Sequence, residues 1–352
     1  MGKTFRRALV YGEGDVRIVE LPMIVPKDDE VLIRVKEASV CPSDLRIFRG
    51  LVKAPPPDKP QHPGHEYAGI VEAVGKNVKR IKPGMRVVPQ SWTPCFQCEN
   101  CREFLYSHCE NLQNNHGGFG EYAVVKESSV LEIPEGTSFG DASVTEPLAS
   151  IFRADQERSK VTLGKKVVVI GLGPMGCMHV QVCHLLGAQV MGIDLIQSRC
   201  DIAKEMGADI VINASKTDPI EAVRHWTKWA PGPSGRGADV VIVTVGGSAQ
   251  AAATEQALQM AGVYSIVNIY AGTYPEDLRI TVEPNTIHYR EIHLTGTRSY
   301  SPKYFKRALE LINSGRVQVS KIRRPVLPFE EIDRAFRIHG TPEAMKVGLI
   351  MS

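Results

Sequence analysis

The sequence predicts an α/β chain of two domains, one mainly β and one a doubly wound parallel sheet with helices on both faces. Three observations predict it. Six short apolar runs lie between residues 166 and 295, and stretches of helical period separate the first five. The chain before about residue 150 is turn-rich and carries short alternating segments. A glycine-rich turn joins the first apolar run to a helix. The 352 residues suffice for two domains, each with its own core.

In the first zone, Val31 to Val35 and Gly69 to Val74 alternate apolar with polar residues and read as antiparallel strands. The proline-rich stretch from Ala54 to Pro60 must be loop, because proline cannot sit in a helix interior or a central strand. From Lys166 to Ile170 the run is almost continuously apolar, as in a strand buried on both faces. Comparable runs follow at Gln189 to Ile193, Ile210 to Ile212, Asp239 to Val243, Val263 to Ile269 and Ile292 to Thr295. In the first intervening helix, Met175, Met178, His179, Val182, Leu185 and Leu186 recur at helical spacing. After about residue 298 the character is mixed again, with a helix near Lys303 to Ser314 and a last strand near Val347 to Met351. No internal repeat or low-complexity tract interrupts the chain.

Composition narrows the function. Lys and Arg number 42 against 39 Asp and Glu, so the formal net charge of +3 lacks the concentrated positive charge of a nucleic-acid binder. The basic pairs Lys165-Lys166 and Arg323-Arg324 read as solvated faces. The N-terminus has no apolar signal core, and no run reaches the ~18 apolar residues of a membrane span. A cytoplasmic protein with no membrane partner is expected. In that compartment the eight cysteines stay reduced, and a cluster of them suggests metal.

The glycine turn reads Gly171-Leu172-Gly173-Pro174-Met175-Gly176. It follows a strand, opens a helix and is answered by Asp194 at the end of the next strand, 23 residues after Gly171. That context marks a dinucleotide site. The first glycine permits the turn, the second lets backbone approach a pyrophosphate, and the third allows close packing of helix on strand. The helix N-terminus offers free N–H groups and a positive dipole to the phosphates. Asp194 can accept hydrogen bonds from both adenosine-ribose hydroxyls and would repel a 2′-phosphate, which favours NAD. Arg199, five residues on, can lie along the adenine or accept a 2′-phosphate, so NADP use stays open.

Cys95-x-x-Cys98-x-x-Cys101-x7-Cys109 can close a tetrahedral zinc site with no open position, which makes it structural. Cys177, Cys183 and Cys200 lie in helical stretches and read as small core residues. A second group is scattered: Cys41-Pro42-Ser43-Asp44 after an apolar strand, Gly64-His65-Glu66 after the proline-rich loop, and Thr145-Glu146-Pro147 near the domain junction. One thiolate, one imidazole and one or two carboxylates suit a zinc that keeps a position for water or substrate.

With these motifs in this order along essentially its whole length, the sequence resembles the zinc-dependent medium-chain dehydrogenase family. The resemblance implies a GroES-like catalytic domain over residues 1–155 and 298–352 and a Rossmann domain over 156–297. It implies that Cys41 and His65 bind a catalytic zinc and that Glu66 or Glu146 completes the set. Glutamate at 146, where alcohol dehydrogenases of the family have cysteine, points to the polyol and sugar branch. The reaction implied is oxidation of a secondary hydroxyl of a polyol, sugar or cyclitol, with hydride passing to NAD, zinc lowering the hydroxyl pKa, and Ser43 relaying the proton outward.

Two residues depart from the family pattern. Pro42 replaces the usual glycine, and Arg46 replaces a histidine that ends the relay in many members. Arg46 can instead meet an anionic substrate or the cofactor. Val245 with its following glycines is expected near the cofactor ribose, Ile269 and Tyr270 near the nicotinamide, and Arg298 and Tyr300 against substrate or cofactor. The family expectation is a homotetramer with two zinc ions per chain. Threonine dehydrogenase, simple secondary-alcohol dehydrogenase and a non-catalytic nucleotide-binding member are the alternatives on the same fold.

Overall fold

The computed structural model describes residues 2–228, 236–272 and 278–351. The chain forms two compact units, Met1–Ala149 with Ser301–Ser352, and Ser150–Tyr300.

The first unit opens with a hairpin of β1 (Thr4–Gly12) and β2 (Asp15–Pro22). Strands β3 (Glu30–Ser39), β4 (Glu66–Val74) and β5 (Arg86–Pro89) follow. A small lobe is then built from β6 (Trp92–Thr93), α1 (Glu99–Arg102) and β7 (Gln113–Asn114). Strands β8 (Tyr122–Lys126) and β9 (Val130–Glu132) return to the main sheet, and α2 (Phe139–Ser143) and α3 (Thr145–Arg153) end this part of the chain. The unit boundary falls inside α3.

In the second unit, β10 (Lys166–Ile170), α4 (Pro174–Leu185), β11 (Gln189–Asp194), α5 (Gln197–Glu205) and β12 (Ile210–Asn213) alternate. After α6 (Pro219–Thr227) come β13 (Ala238–Val243), α7 (Gln250–Met260), β14 (Ala261–Ile269), α8 (Pro284–Arg290) and β15 (His293–Gly296). The six strands are parallel in the order β12-β11-β10-β13-β14-β15. The order reverses between β10 and β13, and in sheets of this kind ligands bind at the carboxyl ends beside that point. Val167, Val168 and Val169 of β10 are fully buried, as the continuous apolar run requires.

The chain then re-enters the first unit with α9 (Pro302–Asn313), β16 (Val326–Pro328), α10 (Ile332–Ile338) and β17 (Gly348–Ile350). These complete a seven-stranded sheet in the order β16-β17-β3-β4-β5-β9, with β8 also pairing β3. Its core gathers Ile33 and Val35 of β3, Val71 of β4, Val125 of β8, Phe336 of α10 and Leu349 of β17.

Two details differ from the sequence reading. The helical spacing of Met175, Met178, His179, Val182, Leu185 and Leu186 is that of α4, yet burial does not follow it: every residue from Gly176 to Cys183 is buried, while Leu185 is exposed. Sheet, α5 and the helical turn at Ala154–Arg158 all pack on α4, so burial follows its neighbours rather than one stripe. Arg323 is not on a solvated face. It is buried, ion-paired to Glu37 at 2.8 Å and hydrogen-bonded to Ser39 Oγ at 3.1 Å, with Gly140 and Gly348 packed directly on its guanidinium. Arg324 alone is exposed. Arg323→Met leaves Glu37 without its partner and should destabilise the protein by about 2–4 kcal/mol. Arg324→Met should cost less than about 0.5 kcal/mol. Urea unfolding followed by circular dichroism compares the two; equal effects would contradict the burial argument.

Candidate active site and metal centres

The scattered motif residues meet because of strand register. Strand β3 runs antiparallel to both β4 and β17, and Ser39 near its end lies opposite Glu66 on one side and Gly348 on the other. Cys41, His65, Glu66 and Lys346 therefore emerge at one end of the sheet. The Cys41 sulfur, a His65 ring nitrogen and a Glu66 carboxylate oxygen lie within 4.8 Å of one another.

A short 3-10 turn at Pro42–Leu45 follows Cys41 and buries Asp44. Its carboxylate ties the two ligand-bearing ends together. One oxygen accepts from the Gly64 N–H at 3.1 Å and lies 3.0 Å from His65 Nδ1; the other accepts from the Cys41 N–H at 3.1 Å. Holding Nδ1 leaves Nε2 to face a metal, the usual carboxylate–histidine arrangement behind a metal ligand. Burial works against the Asp44 charge, but His65 and the two N–H groups win and lower its pKa. Burial likewise opposes a charged His65, while Asp44 and Cys41 hold it well above the usual imidazole range.

Glu66 is buried and ion-paired to Lys346 Nζ at 2.7 Å. Burial pushes the Glu66 carboxyl up, and Lys346 pulls it back. For Lys346, burial lowers the pKa, and Glu66, Cys41 and Glu146 more than offset it. Lys346 also donates to the Val40 carbonyl at 3.2 Å. Glu146, in the first turn of α3, accepts from Ser91 Oγ at 3.2 Å. Burial raises its pKa, and His65 pulls it down. Its oxygens fall outside the three-ligand group, so among the described residues the group is Cys41, His65 and Glu66. Ser43 Oγ donates to the Cys41 sulfur at 3.2 Å. Arg46 follows the same turn and is half-buried.

The donor set fits zinc. One sulfur, one imidazole and one carboxylate make three protein ligands and leave a position for a hydroxyl group. The four-cysteine lobe fits a closed site. Cys95 and Cys101 sulfurs are 4.0 Å apart, and those of Cys98 and Cys109 are 3.9 Å apart. Four sulfurs set tetrahedrally on zinc at 2.3 Å lie roughly 3.8 Å apart, whereas a disulfide needs about 2.05 Å. N–H groups of Gln97 and Cys98 donate to Cys95 sulfur and bring its pKa down to about 6, toward the thiolate a metal requires.

In the second unit each loop glycine has its own reason. Gly171 has φ +92°, and a Cβ there would stand 2.8 Å from Thr244 Oγ1 and Val245 Cγ2. Gly173, the N-cap of α4, faces open space, as a pyrophosphate contact requires. A Cβ on Gly176 would collide with the Gly171 carbonyl oxygen. Pro174 and Met175 form the first turn of α4. Asp194 accepts from the Leu172 N–H at 2.7 Å and the Ile196 N–H at 2.9 Å, so its charge is fixed beside the loop. Arg199 approaches Asp194 at 4.0 Å. Val245 follows β13, and Ile269 ends β14, both at the carboxyl edge. Arg298 is exposed and Tyr300 is buried, 1% exposed.

Asp44 stood inside a motif the sequence displayed, but nothing local marked it as the clamp on His65. Lys346 carries no sequence signal, since only the register of β17 brings it to Glu66. If the Asp44 clamp orients His65, Asp44→Asn should weaken metal binding at Cys41, His65 and Glu66 by about 10–100-fold. A chelator titration reads this, with the four-cysteine site as internal control. Unchanged retention at both sites would remove Asp44 from this role.

Residues 27–135 match the Alcohol dehydrogenase GroES-like domain family, and residues 174–314 match the Zinc-binding dehydrogenase family. The chain is 31% identical to a sorbitol dehydrogenase of Halalkalibacterium halodurans, over 96% of each chain. It is 30% identical to an L-threonine 3-dehydrogenase of Symbiobacterium thermophilum, over 99% of each. A crystal structure of a zinc-binding dehydrogenase from Sinorhizobium meliloti 1021 bound to NADP superposes with a TM-score of 0.88 at 25% identity, covering 99% of both chains. With both domains matched and full-length relatives at this identity, the chain belongs to the zinc-type medium-chain dehydrogenase family and is an NAD(P)-dependent dehydrogenase.

Proposed function

We propose that the protein oxidises a secondary hydroxyl of a vicinal polyol, sugar or cyclitol to a ketone, with NAD as hydride acceptor and two zinc ions per chain. The observation that carries the reading is Glu146: a second carboxylate beside His65, outside the three-ligand group and held through Ser91. It can accept a hydrogen bond from a hydroxyl adjacent to the one being oxidised.

Cys41, His65 and Glu66 would hold the catalytic zinc, while Cys95, Cys98, Cys101 and Cys109 would hold the structural one. When bound, the catalytic zinc lowers the pKa of a substrate hydroxyl. Asp44 keeps His65 Nε2 directed outward, and Lys346 holds Glu66 in place and opposes the upward shift that burial imposes on its carboxyl. Ser43, which donates to the Cys41 sulfur, would carry the hydroxyl proton away. Gly173 and the α4 N-terminus would hold the pyrophosphate, and Asp194 would take the adenosine ribose. The nicotinamide supplies the hydride chemistry.

The reading extends to a small-molecule substrate, a cytoplasmic homotetramer, and no nucleic-acid or membrane partner. The family expectation supports the assembly. No helix among the described residues is long and apolar enough to cross a membrane.

A vicinal diol would use two anchors and a monoalcohol one. A charge-assisted hydrogen bond contributes roughly 1.5–3 kcal/mol. Vicinal polyols or cyclitols should therefore exceed 2-propanol and 2-butanol in kcat/KM by at least about tenfold, and Glu146→Ala should shrink the ratio. A screen over polyols, cyclitols, aldoses and L-threonine measures this; monoalcohols or threonine turned over as well or better would refute the polyol assignment.

Cofactor choice should follow Asp194. Wild-type kcat/KM should be higher with NAD than with NADP. Asp194→Ala should lower the NAD-to-NADP ratio by at least about tenfold. A wild-type preference for NADP would show that Arg199 outweighs the carboxylate.

A further inference from the structure

A second histidine–carboxylate pair lies in the nucleotide-binding unit, where none of the chemistry above uses it. Asp155 sits in a turn of π-helix at Ala154–Arg158, and His179 sits in the second turn of α4. Both are 0% exposed, and His179 Nδ1 lies 2.6 Å from Asp155 Oδ1. His179 Nε2 has no hydrogen-bond partner among the described residues. The Cys183 thiol, one turn further along α4, also faces Asp155, and burial together with that carboxylate pushes it well up. Burial raises the pKa of Asp155, and His179 draws it back.

Burying such a pair costs more than burying apolar side chains of the same size, so stability alone does not account for it. The π-turn points the same way. It inserts an extra residue into a helical segment and turns Asp155 inward, a device that recurs at functional sites.

What the pair touches supplies the reason. The His179 ring stands edge-on to the ring of Tyr270, with centroids 4.4 Å apart and planes at 87°. Tyr270 directly follows β14, and its N–H donates to the Val243 carbonyl at the end of β13. Its hydroxyl reaches Met175 Sδ, 4.0 Å away in the first turn of α4. The half-buried ring thus runs from the end of β14 to the glycine loop, across the carboxyl edge where the strand order reverses.

We propose that Asp155 and His179 are a positioning pair that fixes Tyr270 as a wall of the nicotinamide half of the cofactor site. Asp155 sets the imidazole, and the imidazole sets the tyrosine ring. The ring then limits the orientations of the bound nicotinamide. The proposal rests on the nicotinamide-cofactor reading of this unit.

The test compares NADH with ADP-ribose, which lacks the nicotinamide. NADH binding is followed by its own fluorescence and ADP-ribose binding by calorimetry. Tyr270→Leu and His179→Leu should each weaken NADH about three- to tenfold and leave ADP-ribose within about twofold. The double variant should bind NADH no worse than Tyr270→Leu alone, because both changes remove one device. His179→Gln, which can keep the hydrogen bond to Asp155, should recover part of the loss. Asp155→Asn preserves shape and should show an intermediate loss, so the proposal stays testable if His179→Leu does not fold. Unchanged NADH affinity in the single variants would overturn the proposal. So would equal loss of ADP-ribose, which marks a merely structural role, or additive losses in the double variant. Failure of the cofactor reading looks different: wild-type protein would bind neither ligand.

Discussion

The register of one strand governs the metal-binding end of the first unit. Ser39 of β3 is paired with Glu66 on one side and faces Gly348 on the other. Slipping either pairing by one residue would turn every side chain of the moved strand to the opposite face. Glu66 would then leave Cys41, or Lys346 would leave Glu66. Register here is held by burial, since Ile33, Val35, Val71 and Leu349 all belong to the same core. The core thus does more than stabilise the fold: it fixes the spacing of a cysteine, a histidine and a glutamate carried at the ends of two paired strands.

Charge is the second constraint. Glu66, Lys346, Asp44 and His65 are all buried, and each is tolerable only because its partner is within hydrogen-bond reach. The arrangement is a chain of compensations. Asp44 is stabilised by two N–H groups and His65, Glu66 by Lys346, and Lys346 in turn by Glu66, Cys41 and Glu146. The two carboxylates beside His65 differ in how they are held. Glu66 is bound tightly from behind by Lys346, whereas Glu146 is held through one serine hydroxyl. The proposed division between a metal ligand and a substrate contact rests on that asymmetry.

The nucleotide-binding unit solves a different problem with backbone. Its glycine loop offers N–H groups and open space rather than side chains, and Asp194 is held by two of the same kind of donors. The Asp155–His179 pair repeats in this unit the carboxylate–imidazole contact of the metal site, but directs it at an aromatic ring in place of an ion.

The features legible in the sequence were those carried by residues close together along it. Four cysteines within fifteen positions, glycines at fixed spacing ahead of a helix, and apolar runs of strand length each contain their own geometry, because a turn or one helical repeat already sets the distances. Cys41, His65 and the two candidate glutamates could be named, but the sequence left open which glutamate completes the group. Asp44 was visible and had no role until Gly64 and Cys41 were seen to converge on it. Lys346, the burial of Arg323 and the contact of His179 with Tyr270 were decided by tertiary structure alone. A lone charged or aromatic residue has no period to read. Its partner is chosen by which strand ends and helix turns the packed core brings together, across separations from 91 residues (His179 to Tyr270) to 286 (Glu37 to Arg323).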